Sequence, residues 1–170
     1  MDKLRIYRIT DKYIWFLNSR DPRVQCNKNA RRPYVGVVLL VGEYRYFVPM
    51  ESPKPNHVNI KSGVHIFKLA GGSLGMLGFN NMVPVPDTAL IEFNFSAEQD
   101  EKYKRLLQAQ IIEIDRHRAE VLQKASKTYF EVVNKANPFL RRISCDFKAL
   151  ERACQIYDPN FKKSKQKPEA

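Results

Sequence analysis

The spacing of apolar positions changes character once along this chain, near Ser96, and that change predicts its architecture. Leu4, Ile6 and Ile9, with Tyr7 and charged residues between them, predict an opening strand. Thr10 then stands where a cap would, ahead of a short helix over 11–18, with Asp11 near its positive end. The stretch Ser19 to Arg32 has no periodicity and carries Pro22, Asn27, Asn29 and five basic residues, which predicts a polar loop. Tyr34-Val-Gly-Val-Val-Leu-Leu-Val41 is apolar on both faces and β-rich, as a central strand is. Gly42-Glu43 reads as a tight turn into a second strand over Tyr44 to Met50, completing a hairpin. Glu51 to Gly63 is a loop with Pro53 and Pro55. Further strands are expected from Val64 to Leu69, from Leu74 to Val85 after a Gly71-Gly72 turn, and from Ala89 to Phe95. Five or six antiparallel strands before residue 96 imply a compact, curled sheet or partly open barrel.

Beyond Ser96 the period becomes helical. From about Glu98 to Lys135 there is no Gly or Pro, and Tyr103, Leu107, Ile111, Ile114, Val121, Ala125, Tyr129 and Val132 recur at helical spacing. Ser96-Ala-Glu-Gln supplies a capping-box start and Asn137-Pro138 a stop, so one long helix, with a kink allowed, is predicted. Asp146 is placed to cap a last helix whose face carries Phe147, Leu150, Cys154 and Tyr157. Strands first and helices after make an α+β chain, with one domain over 1–160 and a Lys-rich tail over 161–170 expected to be disordered.

Composition narrows the function. A chain of 170 residues with 44% hydrophobic positions can bury a core and is not disordered throughout. Its longest apolar run, Tyr34 to Val41, is far short of the roughly 20 residues of a membrane helix, so no membrane association is expected. Charge follows Met1 directly in Met1-Asp2-Lys3-Leu4-Arg5, unlike a secretory leader. Cys26, Cys145 and Cys154 are odd in number and lack metal-site spacing, which fits a reducing, cytoplasmic setting. The net charge of +11 is uneven. Residues 1–34 hold nine basic side chains against three acidic ones, the last ten residues hold four against one, and the segment between is nearly balanced. The N-terminal cations are mixed with Tyr7, Tyr13, Trp15 and Tyr34, a combination suited to phosphate backbones and unstacked bases.

Familiar catalytic signatures are absent: there is no P-loop, no Rossmann fingerprint and no H-E-x-x-H. His57, His65 and His117 are scattered, no carboxylate cluster suggests a two-metal site, and Gly71-Gly-Ser-Leu-Gly75 reads as a hairpin turn. What remains is Glu51-Ser52-Pro53-Lys54, just past the hairpin's second strand. Pro53 fixes the backbone between a hydroxyl that can bind a phosphate oxygen and an ammonium that can neutralise developing charge. The short Gly42-Glu43 turn returns this tetrapeptide to the end of the sheet where Arg31-Arg32 precedes the central strand. Arg31, Arg32, Ser52 and Lys54 can therefore surround one phosphate, with His57 nearby as a further candidate for proton transfer or base contact. Such a cluster needs no metal or other cofactor to cleave RNA, whose own 2′-OH is the nucleophile, and it is inert on DNA. A non-catalytic basic RNA-binding module explains the charge and aromatics equally well, and a metal-dependent nuclease is the weakest reading.

In order and spacing the chain resembles the ToxN/AbiQ-type endoribonuclease toxins of bacterial type III toxin–antitoxin systems. The resemblance is carried by Tyr34-Val-Gly-Val-Val-Leu-Leu, Tyr46-Phe-Val-Pro-Met-Glu-Ser-Pro-Lys54, Leu74-Gly-Met-Leu-Gly-Phe-Asn-Asn-Met-Val-Pro-Val85 and Tyr103-Lys-Arg-Leu-Leu107, over roughly residues 4–135. It implies a Kid/MazF-like sheet core with added helices, and metal-independent RNA cleavage leaving a 2′,3′-cyclic phosphate and a 5′-OH. It implies as partner a repetitive RNA antitoxin folded as pseudoknots, processed by the toxin and commonly alternating with it in a closed ring. The family's Ser-Pro-Lys motif maps onto Ser52 and Lys54, and its basic residue before the central strand onto Arg32. Glu51 stands where the family often has Thr, Lys28 stands near an upstream Tyr, and Tyr103 matches a recurrent tyrosine at the helix start. By this resemblance Ser52, Lys54 and Arg32 are the candidate catalytic residues. Lys28, Arg31, Glu51, His57 and Tyr103 are the candidate RNA contacts.

Overall fold

A computed structural model describes residues 3–160; the Lys-rich tail over 161–170 lies outside the described residues. Seven strands form one antiparallel sheet: β1 (Arg5–Ile9), β2 (Tyr34–Val41), β3 (Tyr44–Glu51), β4 (Ile66–Lys68), β5 (Met76–Gly78), β6 (Val83–Pro84) and β7 (Leu90–Glu92). Their spatial order is β4-β5-β3-β2-β1-β7, with β6 also pairing along β3, so the sheet is open between β4 and β7. The expected central strand, β2, lies between β3 and β1. The strand count exceeds the expected five or six because the run from Leu74 to Val85 is broken. A 3-10 turn over Phe79–Asn81 buries Phe79 and lets β5 and β6 take successive stretches of β3.

Five helices follow the predicted segregation in part: α1 (Asp11–Arg20), α2 (Glu101–Arg116), α3 (Arg118–Val133), α4 (Pro138–Ile143) and α5 (Phe147–Ile156). The long helix is two helices broken at His117, whose φ and ψ of −107° and 25° leave the helical basin. No Gly or Pro marks this break; packing makes it. Before it, Gln110 of α2 donates to the Leu74 carbonyl at 2.8 Å. Beyond it, Lys124 and Thr128 of α3 donate to the carbonyls of Gly63, Ile66 and Val64. The expected capping box at Ser96 is not used. Asn94 caps a 3-10 turn there, Glu98 turns to Arg8 at 3.5 Å, and Asp100 accepts the Tyr103 N–H that starts α2. α3 ends at Val133 with Asn134 as its cap, and Asn137 starts the next helix, accepting from the N–H groups of Phe139 and Leu140 at the head of α4. Asp146 caps α5 as expected, accepting from Ala149 at 3.1 Å.

Aromatic and aliphatic side chains of the sheet and helices form one core. Tyr13, Tyr46, Phe47, Phe79 and Phe147 are among its largest fully buried members. It contains a charged network centred on Glu151 of α5, which is only 5% exposed. The carboxylate accepts from the hydroxyls of Tyr46 at 2.8 Å and Tyr129 at 2.6 Å, and pairs with Lys148 at 3.2 Å. Burial and the adjacent carboxylate push the Tyr46 hydroxyl's pKa upward, so it remains a donor. Glu151→Ala strands that buried hydroxyl and half-strands the second. A loss of about 2–4 kcal/mol in urea unfolding is expected. Adding Tyr46→Phe should recover part of it.

A second buried carboxylate fastens the loop after α1 to the last helix. Asp21 accepts from the Arg23 N–H and guanidinium at 3.0 Å through Oδ1, and from the Asp146 N–H at 2.6 Å through Oδ2. Burial alone would raise its pKa, but these bonds and the Arg23 charge together hold it below the usual carboxylate range. A depressed folded-state pKa adds stability above the unfolded value and loses it as the pH falls through the folded one. Asp21→Asn should therefore cost about 1.5–3 kcal/mol near neutrality. The difference from wild type should shrink once the pH drops below about 4, where the unfolded carboxylate protonates. Denaturant melts at pH 7 and pH 3 read this directly.

Candidate active site

The hairpin register assembles the candidate site. Tyr34 faces Pro49, Val35 faces Val48 and Gly36 faces Phe47. The Met50 N–H then donates to the Pro33 carbonyl at 2.9 Å, extending the pairing one step beyond β2. Continued by one more residue, this register sets Arg32 opposite Glu51, immediately beside Ser52. Ser52, Pro53 and Lys54 are exposed, and a 3-10 turn over Pro55–Asn59 follows them.

Arg32 is held in place before any ligand arrives. It is 9% exposed, and its Nε donates to the Cys26 carbonyl at 2.7 Å. Burial raises the pKa of the neighbouring Tyr34 hydroxyl, opposed by the Arg32 charge. The loop carrying Arg31 and Lys28 is built on three successive left-handed residues, Lys28, Asn29 and Ala30. The Asp11 carboxylate fixes it, accepting from Asn27 Nδ2 at 2.8 Å and from the Ala30 N–H at 2.9 Å. Lys28 and Arg31 are exposed. Among the described residues, no carboxylate pairs with Lys28, Arg31, Arg32 or Lys54. This end of the sheet therefore presents four uncompensated cations and one hydroxyl, a set that binds a phosphodiester and stabilises charge developing on it. Among the described residues no group of three or more His, Cys, Asp or Glu is gathered to hold a metal ion.

Three of the expected RNA contacts are buried or half-buried. His57 is 1% exposed, so it is buried rather than offered to a base. Its Nε2 lies 3.4 Å from Glu51 Oε2, and its Nδ1 accepts the Lys54 backbone N–H at 3.4 Å. Glu51 is correspondingly half-buried and turned to His57. Tyr103 is half-buried in a cluster with Phe93, Arg8 and Glu98. Burial raises its pKa, with Arg8 opposing. Arg8 lies at the same end of the sheet, because the register that pairs Tyr7 with Tyr34 sets Arg8 opposite Pro33. Tyr103 thus borders the site from the β1 side, two strands away from Ser52.

The glycine-rich turn has more to do than reverse the chain. Gly75, at φ +102°, lies so close to the Glu51 carbonyl oxygen that a Cβ there would overlap it. A Cβ at Gly72 would stand 2.9 Å from the His57 carbonyl carbon and 3.1 Å from the Val58 nitrogen. The turn is thus the wall against which Glu51 and His57, on either side of the Ser52–Lys54 segment, are laid, and Gln110 pins it at Leu74. α2 carries both Tyr103 and Gln110, about 10 Å apart at 1.5 Å per residue, and so spans the site from the β1 side to the glycine turn. The signal in sequence was the density of glycine over 71–75, which names a close approach without naming its partner.

Comparisons with known proteins agree with this architecture. The family described as toxin ToxN of type III toxin–antitoxin systems matches residues 5–155. The endoribonuclease ToxN of Bacillus thuringiensis subsp. kurstaki is 32% identical over 165 residues, covering 92% of this chain and 85% of that protein. The endoribonuclease AbiQ of Lactococcus lactis subsp. lactis is 28% identical over 91% of this chain and 89% of its own length. The solved structure of AbiQ, an anti-phage endoribonuclease of a type III system, superposes with a TM-score of 0.83 at 28% identity, covering 92% of this chain and 98% of that one. A second solved structure, from work on selective toxin inhibition by a non-coding RNA pseudoknot, gives 0.80 at 29% identity, covering 91% and 97%.

Proposed function

The chain belongs to the ToxN family of type III toxin–antitoxin toxins and is an endoribonuclease; from that premise we propose that it cuts RNA without a metal. The attacking group is the substrate's 2′-OH, and the products are a 2′,3′-cyclic phosphate and a 5′-OH. Arg32 and Lys54 neutralise the charge that builds on the phosphate, and the Ser52 hydroxyl orients one of its oxygens. The observation that carries this reading is the β2–β3 register, which brings a pre-positioned Arg32 beside an exposed Ser52-Pro53-Lys54. Lys28 and Arg31 extend the same cationic end toward the flanking phosphates. The partner is an RNA antitoxin of pseudoknot repeats that occupies this site, is processed by it and alternates with the toxin in a closed ring. DNA lacks the nucleophile and is not a substrate.

The test is incubation of purified protein with a mixed-sequence single-stranded RNA in excess EDTA, followed by mapping of the ends. Cyclic-phosphate and 5′-OH ends are expected. Cutting that appears only when a divalent metal is restored would overturn the mechanism. Tight binding without cutting under either condition would make the protein a binding module.

A further inference from the structure

The segment that carries Ser52 and Lys54 is exposed, yet its backbone is gripped from behind by the residues on either side of it. Glu51 precedes the segment and His57 follows it. The imidazole between them is buried, with one nitrogen on the Glu51 carboxylate and the other on the Lys54 backbone N–H. Because Nδ1 accepts from Lys54, the ring proton sits on Nε2 and points at Glu51, so each contact fixes the sense of the other. The grip is closed on the main chain, where the His57 N–H donates to the Lys54 carbonyl at 3.0 Å. It is also closed on the outside, where Gly72 lies against the His57 backbone and Lys68 Nζ donates to the Val58 carbonyl at 3.2 Å.

A histidine serving only to fill the core would be better replaced by a hydrocarbon, which has no polar atoms to desolvate. This one spends both nitrogens on the two residues that flank Ser52-Pro53. We propose that His57 is a positioning residue for RNA cleavage: it sets the Lys54 backbone through Nδ1 while Glu51 fixes the ring through Nε2. It touches neither RNA nor the reacting atoms. Its effect is to confine Lys54 to the orientation in which the ammonium meets the phosphate, a requirement that small displacements defeat. This explains why a carboxylate is tolerated at position 51 in an otherwise cationic site, since it faces the imidazole behind the segment. The inference rests on the reading that Lys54 acts on the phosphate.

The experiment separates position from binding and from stability. Single-turnover cleavage and RNA affinity are measured for wild type, His57→Ala, His57→Asn, His57→Gln, Glu51→Gln and Lys54→Ala, each with its melting temperature. Asn offers an acceptor near the place of Nδ1, whereas Gln reaches only the place of Nε2. For His57→Ala the cleavage constant should fall about 10²-fold with RNA affinity within about threefold of wild type. His57→Asn should regain most of the rate, His57→Gln should not, and Glu51→Gln should lose several-fold. If His57→Ala does not fold, the Asn, Gln and Glu51 variants decide alone. Equal rates in Asn and Gln, losses that track melting temperature, or losses confined to affinity would each overturn the proposal. Full activity of His57→Ala beside an inactive Lys54→Ala would defeat the clamp alone. Full activity of Lys54→Ala would instead remove the catalytic assignment on which it stands.

Discussion

Lys54→Ala is expected to abolish growth arrest on induction and to slow RNA cleavage by about 10²–10³-fold, with the protein still folded. The two halves of that expectation have separate grounds. Lys54 is exposed, and no carboxylate pairs with it among the described residues. Truncating it therefore breaks no ion pair among the described residues, and surface changes of that kind stay within about 0.5 kcal/mol. On the proposed mechanism the catalytic loss is large because the ammonium acts where charge develops in the transition state, on a residue whose backbone N–H is bonded to His57. Ser52→Ala should behave likewise, with a smaller loss if the hydroxyl only orients the phosphate. Arginine at 54 keeps the charge but not the compact ammonium, and only partial recovery is expected. A folded Lys54→Ala protein that still arrests growth would remove this residue from the site.

Gly75→Ala should damage both stability and activity, because one backbone atom links the two. At φ +102° an L side chain is strained, and the new Cβ would overlap the Glu51 carbonyl oxygen, which is main chain and cannot swing aside. Separating the glycine turn from β3 is expected to cost about 3–5 kcal/mol. The residue displaced is the neighbour of Ser52, so protein that remains folded at low temperature should also cleave at least about tenfold more slowly. Gly71→Ala is the control in the same turn. Its φ of +66° carries the left-handed strain, but a Cβ there meets nothing within 4 Å. It should cost about 1–2 kcal/mol and leave the cleavage rate unchanged. Equal effects at the two glycines, measured by thermal melts and single-turnover cleavage, would deny the close packing its role.

How much of this was legible depended on the range of the interaction. Local signals were read correctly where a side chain answers to its own neighbours. Gly42 makes the hairpin turn with φ +58°, and Asp146 caps α5. They misled where another group competes for the same role. Ser96 and Gln99 have the pattern of a capping box, yet Ser96 lies inside a 3-10 turn capped by Asn94, and Asp100 takes over the cap of α2. The unbroken helical pattern from 98 to 135 hides the turn at His117, because α2 and α3 bend to reach different carbonyls. Lys124, one of the charged residues in that pattern, is spent on the carbonyls of Gly63 and Ile66.

The candidate site divides along the same line. Periodicity, the two-residue turn and the sharing of one end of the sheet by Arg32, Ser52 and Lys54 follow from sequence alone. The short turn returns Ser52 and Lys54 to the end of the sheet that carries Arg32, but an irregularity between Gly36 and Leu39 shifts the pairing by two residues, so counting back from the turn would set Arg32 opposite Pro53 rather than Glu51. The burial of His57, the facing of Glu51 onto it and the approach of Gly75 to the Glu51 carbonyl are tertiary facts. Each joins residues whose meeting is decided by how the glycine turn and α2 pack on the end of β3. Sequence therefore determined which groups share the proposed site's end of the sheet, since a hairpin with a two-residue turn is a short-range geometric constraint. Only the folded structure decided which groups pack behind that segment, because that depends on shape complementarity between segments that no local pattern encodes.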